Sequence, residues 1–297
     1  MKTHCVVVLC AKLEELRAVR RVFHGEFDRF VEDDKNIDQV YAVGRSGSGL
    51  TMLVSTCGKM GNMAAAIHTS RMVSLYKPEM VFFVGTAASM APEDVQVGDV
   101  VIPRKAVYRL YEKISEEGNE DYDKRMEQGS LSEKFLENNV LCAVTDSQET
   151  SPRAQTAISG PGFDEIELQS GAVGETLEIG DQHVTLRESK IHFDEDIFTC
   201  GMVVDSVSYR EFAKRVAAIT DRKLTLIDME SYGFLYAIEQ LRGNHNGSTA
   251  EGVMVRGVSD YAGRKRLSEE LPQGWKDVSV ENAARVVVDM INEIFPK

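Results

Sequence analysis

Leu226-Ile227-Asp228-Met229-Glu230-Ser231 and, about one helix and one strand later, Val253-Met254-Val255-Arg256-Gly257-Val258-Ser259-Asp260 decide how this chain is read. Each is an apolar run that ends abruptly in a carboxylate. Desolvating a carboxylate is costly, so a buried strand that delivers Asp or Glu at its carboxyl end puts that charge to use. Two such endings in neighbouring elements of an α/β pattern read as two halves of one site.

Working outward, the front third alternates strand and helix signals. His4 to Cys10 is a continuous apolar run of strand length, and Glu14 to Phe23 has helical spacing through Leu16, Val19, Val22 and Phe23. Val40 to Val43 and Leu50 to Ser55 read as two strands joined across Arg45-Ser46-Gly47-Ser48-Gly49. A Gly-containing turn, Cys57 to Asn62, precedes a helix from Met63 to Leu75, and Met80 to Val84 is a further buried strand running into Gly85-Thr86-Ala87-Ala88-Ser89. Alternation of this kind predicts a mostly parallel or mixed sheet covered on both faces. Ligands bind such sheets beyond the carboxyl ends of the strands. The loops at Gly58 and Gly85 and the two acidic endings all fall there. A closing helix is expected from Val280 to Ile294, with Ala284, Val287, Val288 and Ile291 on its buried face.

Between Tyr111 and Asp196 the composition turns polar and acidic, which reads as an elaborated insertion with a short helix and a hairpin near Leu177 to Ile191. The expectation is a single domain over 1–297 with that insertion at about 111–196.

Bulk composition excludes some partners. The 297 residues are 43% hydrophobic, enough for a large core, and carry 47 acidic against 34 basic residues for a formal charge of -13. Nucleic acid and anionic membranes select basic surfaces, so neither is expected as a partner. Five scattered cysteines without CxxC spacing fit a reducing cytoplasm better than disulfides or zinc. No apolar leader or membrane-spanning run is read. His183 and His192 have no metal-ligand spacing, and no metal or cofactor is expected.

Glu14-Glu15 after the first strand, Gly85-Thr86-Ala87-Ala88 followed by Val97-Gly98-Asp99-Val100-Val101, then Asp228-Met229-Glu230 and Arg256-Gly257-Val258-Ser259-Asp260 give the chain its resemblance. In this order they resemble the purine nucleoside phosphorylase and nucleosidase superfamily. The chain looks most like its methylthioadenosine/S-adenosylhomocysteine nucleosidases and the related nucleosidase domains of immune-type effector proteins. The resemblance implies a three-layer α/β/α fold around a central mixed, partly barrel-like sheet, and commonly a homodimer or larger homo-oligomer. It also implies roles. Glu230 would accept hydrogen bonds from ribose hydroxyls and Met229 would pack on the sugar. Asp260, held by Ser259, would protonate the purine at N7. Glu15 would activate water, with Arg256 and Thr86 helping to position it.

These roles suit the chemistry of breaking a purine N-glycosidic bond, which builds positive charge on ribose and negative charge on the base. Phosphate as nucleophile would need converging cations. Val81 to Val84, just ahead of Gly85, offer none, whereas the family's phosphorylases carry an arginine there. Hydrolysis of an adenine-type nucleoside or nucleotide is therefore expected, with a phosphorylase and a non-catalytic nucleotide-sensing module as alternatives. Tyr209 is a candidate for stacking on the base or a core aromatic. Met60 and Met90 are candidates for lining an apolar 5′ pocket, and Arg264-Lys265-Arg266 are read as a solvated loop or a reader of phosphate. His68 is read as a helix-face residue.

Overall fold

The computed structural model describes residues 4–27, 29–32, 41–44, 49–108, 147–149, 151–158, 166–171, 173–179, 182–193, 195–201, 203–205, 210–211, 224–243, 248–263 and 274–296. At its centre the apolar run predicted as the first strand forms β1 (His4–Cys10). It pairs in parallel with β4 (Leu50–Thr56) on one side and β5 (Met80–Ser89) on the other. Successive side chains of a strand point to opposite faces, so each of these strands feeds two cores. Val6, Val8, Phe82, Val84, Val253 and Val255 belong to one, with Leu16, Val19 and Phe23 of helix α1 (Leu13–Glu26) and Val280 to Ile291 of helix α5 (Trp275–Ile294). Val7, Leu9, Val81, Phe83 and Met254 belong to the other, with Ala65 and Met72 of α2 (Asn62–Tyr76) and Phe234, Leu235 and Ile238 of α4 (Ser231–Gly243). Helices on both faces of a continuous sheet give the expected three layers.

Among the described residues twelve strands form one mixed sheet. The antiparallel pair expected near residues 40–55 is β3 (Tyr41–Gly44) against β4, extended by a strand not anticipated, β2 (Arg29–Glu32). Beyond β5 the order continues through β13 (Leu224–Asp228), β12 (Asp196–Thr199), β7 (Lys105–Tyr108) and β8 (Ser147–Glu149). The sheet branches at β5. Strand β14 (Glu251–Tyr261) runs parallel to it along its length, while β13 meets only its far end, antiparallel. Ala88 of β5 is thereby in register with Ile227 on one side and Asp260 on the other. This branching is the physical content of a partly barrel-like sheet, and it brings the two acidic strand ends together.

The 111–196 span is only in part a surface elaboration. Its hairpin is β9 (Thr176–Ile179) and β10 (Gln182–Thr185), close to the expected place, and its short helix is α3 (Pro152–Ile158). However, β8 extends the central sheet from β7, and β11 (Ile191–His192) pairs with β6 (Val100–Val101). Residues 109–146 lie outside the described residues. Among those described, no helix is long and apolar enough to cross a membrane.

Candidate active site

The carboxyl ends of β1, β13 and β14 and the latter half of β5 surround a cavity of about 150 Å³ whose wall includes Glu15, Thr86, Met229, Glu230, Ser259 and Asp260. All six were predicted site residues, drawn from four separate stretches of sequence.

Glu15 sits in the first turn of α1 but is only 4% exposed. Its Oε2 accepts from the amides of Ala11 at 3.1 Å and Lys12 at 3.0 Å. Its Oε1 accepts from the Thr86 amide at 3.2 Å and the Thr86 hydroxyl at 3.4 Å. These donors and the positive end of α1 hold a carboxylate there. Thr86 does this from within β5, a longer strand than the apolar run up to Val84 suggests.

Glu230 lies just beyond β13, where the chain turns into α4, and its Oε1 accepts from the Gly61 amide at 2.9 Å. That amide is brought there by the close approach of two helix starts. The Asn62 side chain accepts from the Gly233 amide at 2.7 Å, and a Cβ on Gly233 would fall 2.1 Å from the Asn62 carbonyl oxygen. Burial, and then the neighbouring Asp228 charge, push the Glu230 carboxyl up to about 7, against the opposing pull of Arg256 and the Gly61 amide.

Asp228, the last residue of β13, was quoted as part of the motif without a role of its own. It caps α4, accepting from the Ser231 amide at 3.1 Å and the Ser231 hydroxyl at 2.5 Å. Thr199 Oγ1 donates to it at 2.9 Å, and Arg256 Nη2 at 2.7 Å. Arg256 stands behind the cavity wall. Its side chain is fully buried, stacks over the Phe83 ring at 4.8 Å and pairs with Asp228, which is itself on the cavity wall. Gly85 stands between it and Glu15: a Cβ there would meet Arg256 Nη1 at 2.6 Å and Glu15 Oε1 at 3.1 Å.

Ser259 and Asp260 are consecutive residues of β14, yet both line the cavity. Alternation would forbid this in a regular strand. A shift of register between Val258 and Asp260 permits it, as a bulge does. The Ser259 hydroxyl donates to Asp260 Oδ2 at 2.7 Å and so helps to aim the carboxyl.

Met60, 44% exposed, lines the cavity, whereas Met90 is fully buried in a cluster with Val107, Phe198 and Ile227 and is core. His68 faces Ser55 Oγ at 2.9 Å from α2, and burial lowers its pKa, in keeping with a helix-face role. Tyr209 and Arg264-Lys265-Arg266 lie outside the described residues. Val203 and Val204 also line the cavity, as does Lys12, which sequence reasoning passed over. Lys12 stands two residues past the end of β1, the kind of position that marks sites in such sheets.

A family model described as the phosphorylase superfamily matches residues 6–292. Among curated relatives, an ATP nucleosidase Cap17 from Escherichia coli is 24% identical over 265 residues, 88% of this chain and 46% of the relative. A death domain-containing ATP nucleosidase from Amphimedon queenslandica is 20% identical, covering 90% of this chain and 44% of the relative. The chain thus spans about half the length of the curated relatives it matches. Among solved structures, the Neisseria meningitidis 5′-methylthioadenosine/S-adenosylhomocysteine nucleosidase bound to methylthio-immucillin-A superposes with a TM-score of 0.62 at 15% identity, covering 97% of this chain and 98% of that one. Futalosine hydrolase of Helicobacter pylori gives 0.64 at 15% identity, covering 98% of each chain.

Proposed function

The chain belongs to the phosphorylase superfamily, and from that premise we propose that it hydrolyses the N-glycosidic bond of an adenine-type purine nucleoside or nucleotide, releasing free base and a ribose product. The observation that carries this reading is the convergence of Glu15, Glu230 and Asp260 on one cavity. Water held by Glu15 attacks C1′ and gives its proton to that carboxylate. The C1′–N9 bond breaks, its electron pair leaves with the base, and N7 takes the proton of Asp260. Ionised Glu230 accepts from the ribose hydroxyls and offsets the positive charge on the sugar. Arg256 acts through Asp228 and the start of α4, setting where Glu230 lies.

Water is favoured over phosphate as the nucleophile because Glu15, on that wall, repels an anion. Lys12 on the same cavity wall supports the alternative, a phosphorylase. Relatives described as ATP nucleosidases support a nucleotide among the substrates. A homodimer or larger homo-oligomer belongs to the same proposal. Met63, Ile67 and Leu75 of α2 and Tyr236 of α4 are exposed at 77, 63, 57 and 42%, an apolar surface suited to a second copy. So do a single domain elaborated within 111–196 and a cytoplasmic setting, the latter supported by free Cys5, Cys10, Cys57 and Cys200.

The test is chromatography of purine nucleosides and nucleotides incubated with and without inorganic phosphate. Free base and free ribose product without phosphate are expected. Dependence on phosphate with ribose 1-phosphate formed establishes the phosphorylase, and no base from any substrate overturns catalysis.

A further inference from the structure

We propose that Lys12 reads a phosphoryl group on the 5′ carbon of the substrate, making this a site built for a 5′-phosphorylated purine nucleoside rather than the bare nucleoside. The inference rests on the function proposed above and adds the substrate class and the residue that selects it. Lys12 is held at the cavity by its own amide, which donates to Glu15 Oε2 at 3.0 Å. Its side chain lines the cavity and forms no ion pair among the described residues.

A lysine beside so many carboxylates would ordinarily be consumed by them. Here each nearby acid is served from elsewhere. Glu15 accepts from two amides and from both donors of Thr86. Asp228 is matched by Arg256, Glu230 takes the Gly61 amide, and Asp260 takes the Ser259 hydroxyl. The ammonium is therefore left to meet an anion that comes with the ligand. Once the base is assigned to Asp260, the ribose hydroxyls to Glu230 and the C1′ face to Glu15, the remaining polar feature of a nucleotide is its 5′ phosphoryl group. Among the described residues, Lys12 is the cation on the cavity wall that remains for it, and Met60 on the same wall is an apolar cover for C5′. A mobile ammonium with three donors suits a phosphate approached as a point charge. The same phosphoryl chemistry could arrive as free phosphate, but an attacking phosphate would have to lie against Glu15.

The experiment compares kcat/KM for adenosine, AMP and ATP in the wild type, Lys12→Gln and Lys12→Arg, with and without inorganic phosphate. Binding of AMP and adenosine to Asp260→Asn and to Asp260→Asn/Lys12→Gln is measured by calorimetry. The expected result is a wild-type preference for nucleotides that falls roughly 10- to 100-fold in Lys12→Gln and is largely kept in Lys12→Arg, as for loss of one charge-assisted hydrogen bond. Weaker AMP binding in the double variant, with the AMP-to-adenosine ratio lowered, supports the inference even if no base is released, and then only the catalytic reading falls. An unchanged nucleotide-to-nucleoside ratio in Lys12→Gln overturns it. So does phosphate-dependent cleavage of adenosine that Lys12→Gln abolishes, which would assign Lys12 to the nucleophile.

Discussion

Arg256 donates to Asp228 at 2.7 Å with side-chain exposures of 0% and 1%, so a buried ion pair stands at the wall of the candidate site. The pair joins β14 to the end of β13 and to the first turn of α4, because Ser231 bonds both partners. It thereby ties together the elements that carry Asp260 and Glu230. A buried pair adds little stability by itself, but removing one partner strands the other in a dry interior.

Arg256→Met is accordingly expected to destabilise the protein by about 3–5 kcal/mol, read by urea unfolding. Adding Asp228→Asn should recover part of that loss, since no charge is then left unpaired. If Arg256→Met instead unfolds like the wild type while losing base release, Arg256 acts on the nucleophile itself rather than through Asp228.

Glu230 gives the reaction a pH dependence. Its carboxyl titrates near 7, raised first by burial and then by Asp228. The ionised form is the one that holds ribose hydroxyls, so kcat/KM should rise with pH through about 7 on its acid limb. Asp228→Asn removes a neighbouring negative charge and should move that limb to lower pH. Stability runs the other way. The folded state holds a proton that the unfolded state, with its ordinary 4.5, has released, so stability falls as pH rises from 4.5 to about 7. Glu230→Gln should therefore unfold later than the wild type at pH 8, by at most roughly 3 kcal/mol, and should match it near pH 4. Equal midpoints at both pH values would refute the raised carboxyl.

Apolar runs made most of this arrangement legible. His4 to Cys10, Met80 to Val84 and Val253 to Asp260 appear as strands because they are buried on both faces, and runs of that kind are visible without a partner. The short strands β2, β8 and β11 were not read, since two to four residues leave no periodicity to count. Glu15 and Asp260 were found by motif and chain position. Lys12 was passed over because a lone lysine after a strand carries no pattern, and Arg256 pairs with a carboxylate that the motif left without a role. Its partner Asp228 follows from the antiparallel register of β13 on β5, a long-range pairing that local sequence does not encode.

Gly85→Ala tests the spacing between Arg256 and Glu15. The added methyl would sit 2.6 Å from Arg256 Nη1 and 3.1 Å from Glu15 Oε1, so both side chains must move. Overpacking of this kind costs about 1–3 kcal/mol. Displacement of Glu15 by a fraction of an ångström should also lower kcat/KM on the order of 100-fold. A variant destabilised to that extent with full activity would show that Glu15 does not position the nucleophile.

Asp260 and Ser259 separate the proton donor from the group that aims it. Asp260→Asn keeps the shape and can still accept from Ser259, but it has no carboxyl proton to give the leaving base. Base release should fall roughly 100- to 10,000-fold, the range for loss of a general acid, with thermal unfolding little changed because the side chain lies at the cavity surface. Ser259→Ala leaves the carboxyl in place and removes the 2.7 Å bond that Ser259 donates to it. Its loss should be smaller, on the order of 10-fold, consistent with one hydrogen bond of about 1 kcal/mol. A substrate whose leaving group departs without protonation distinguishes the two roles further. With such a substrate Asp260→Asn should approach wild-type rates, whereas Glu15→Gln should stay slow. If Asp260→Asn is equally impaired with both substrates, Asp260 binds the base without protonating it.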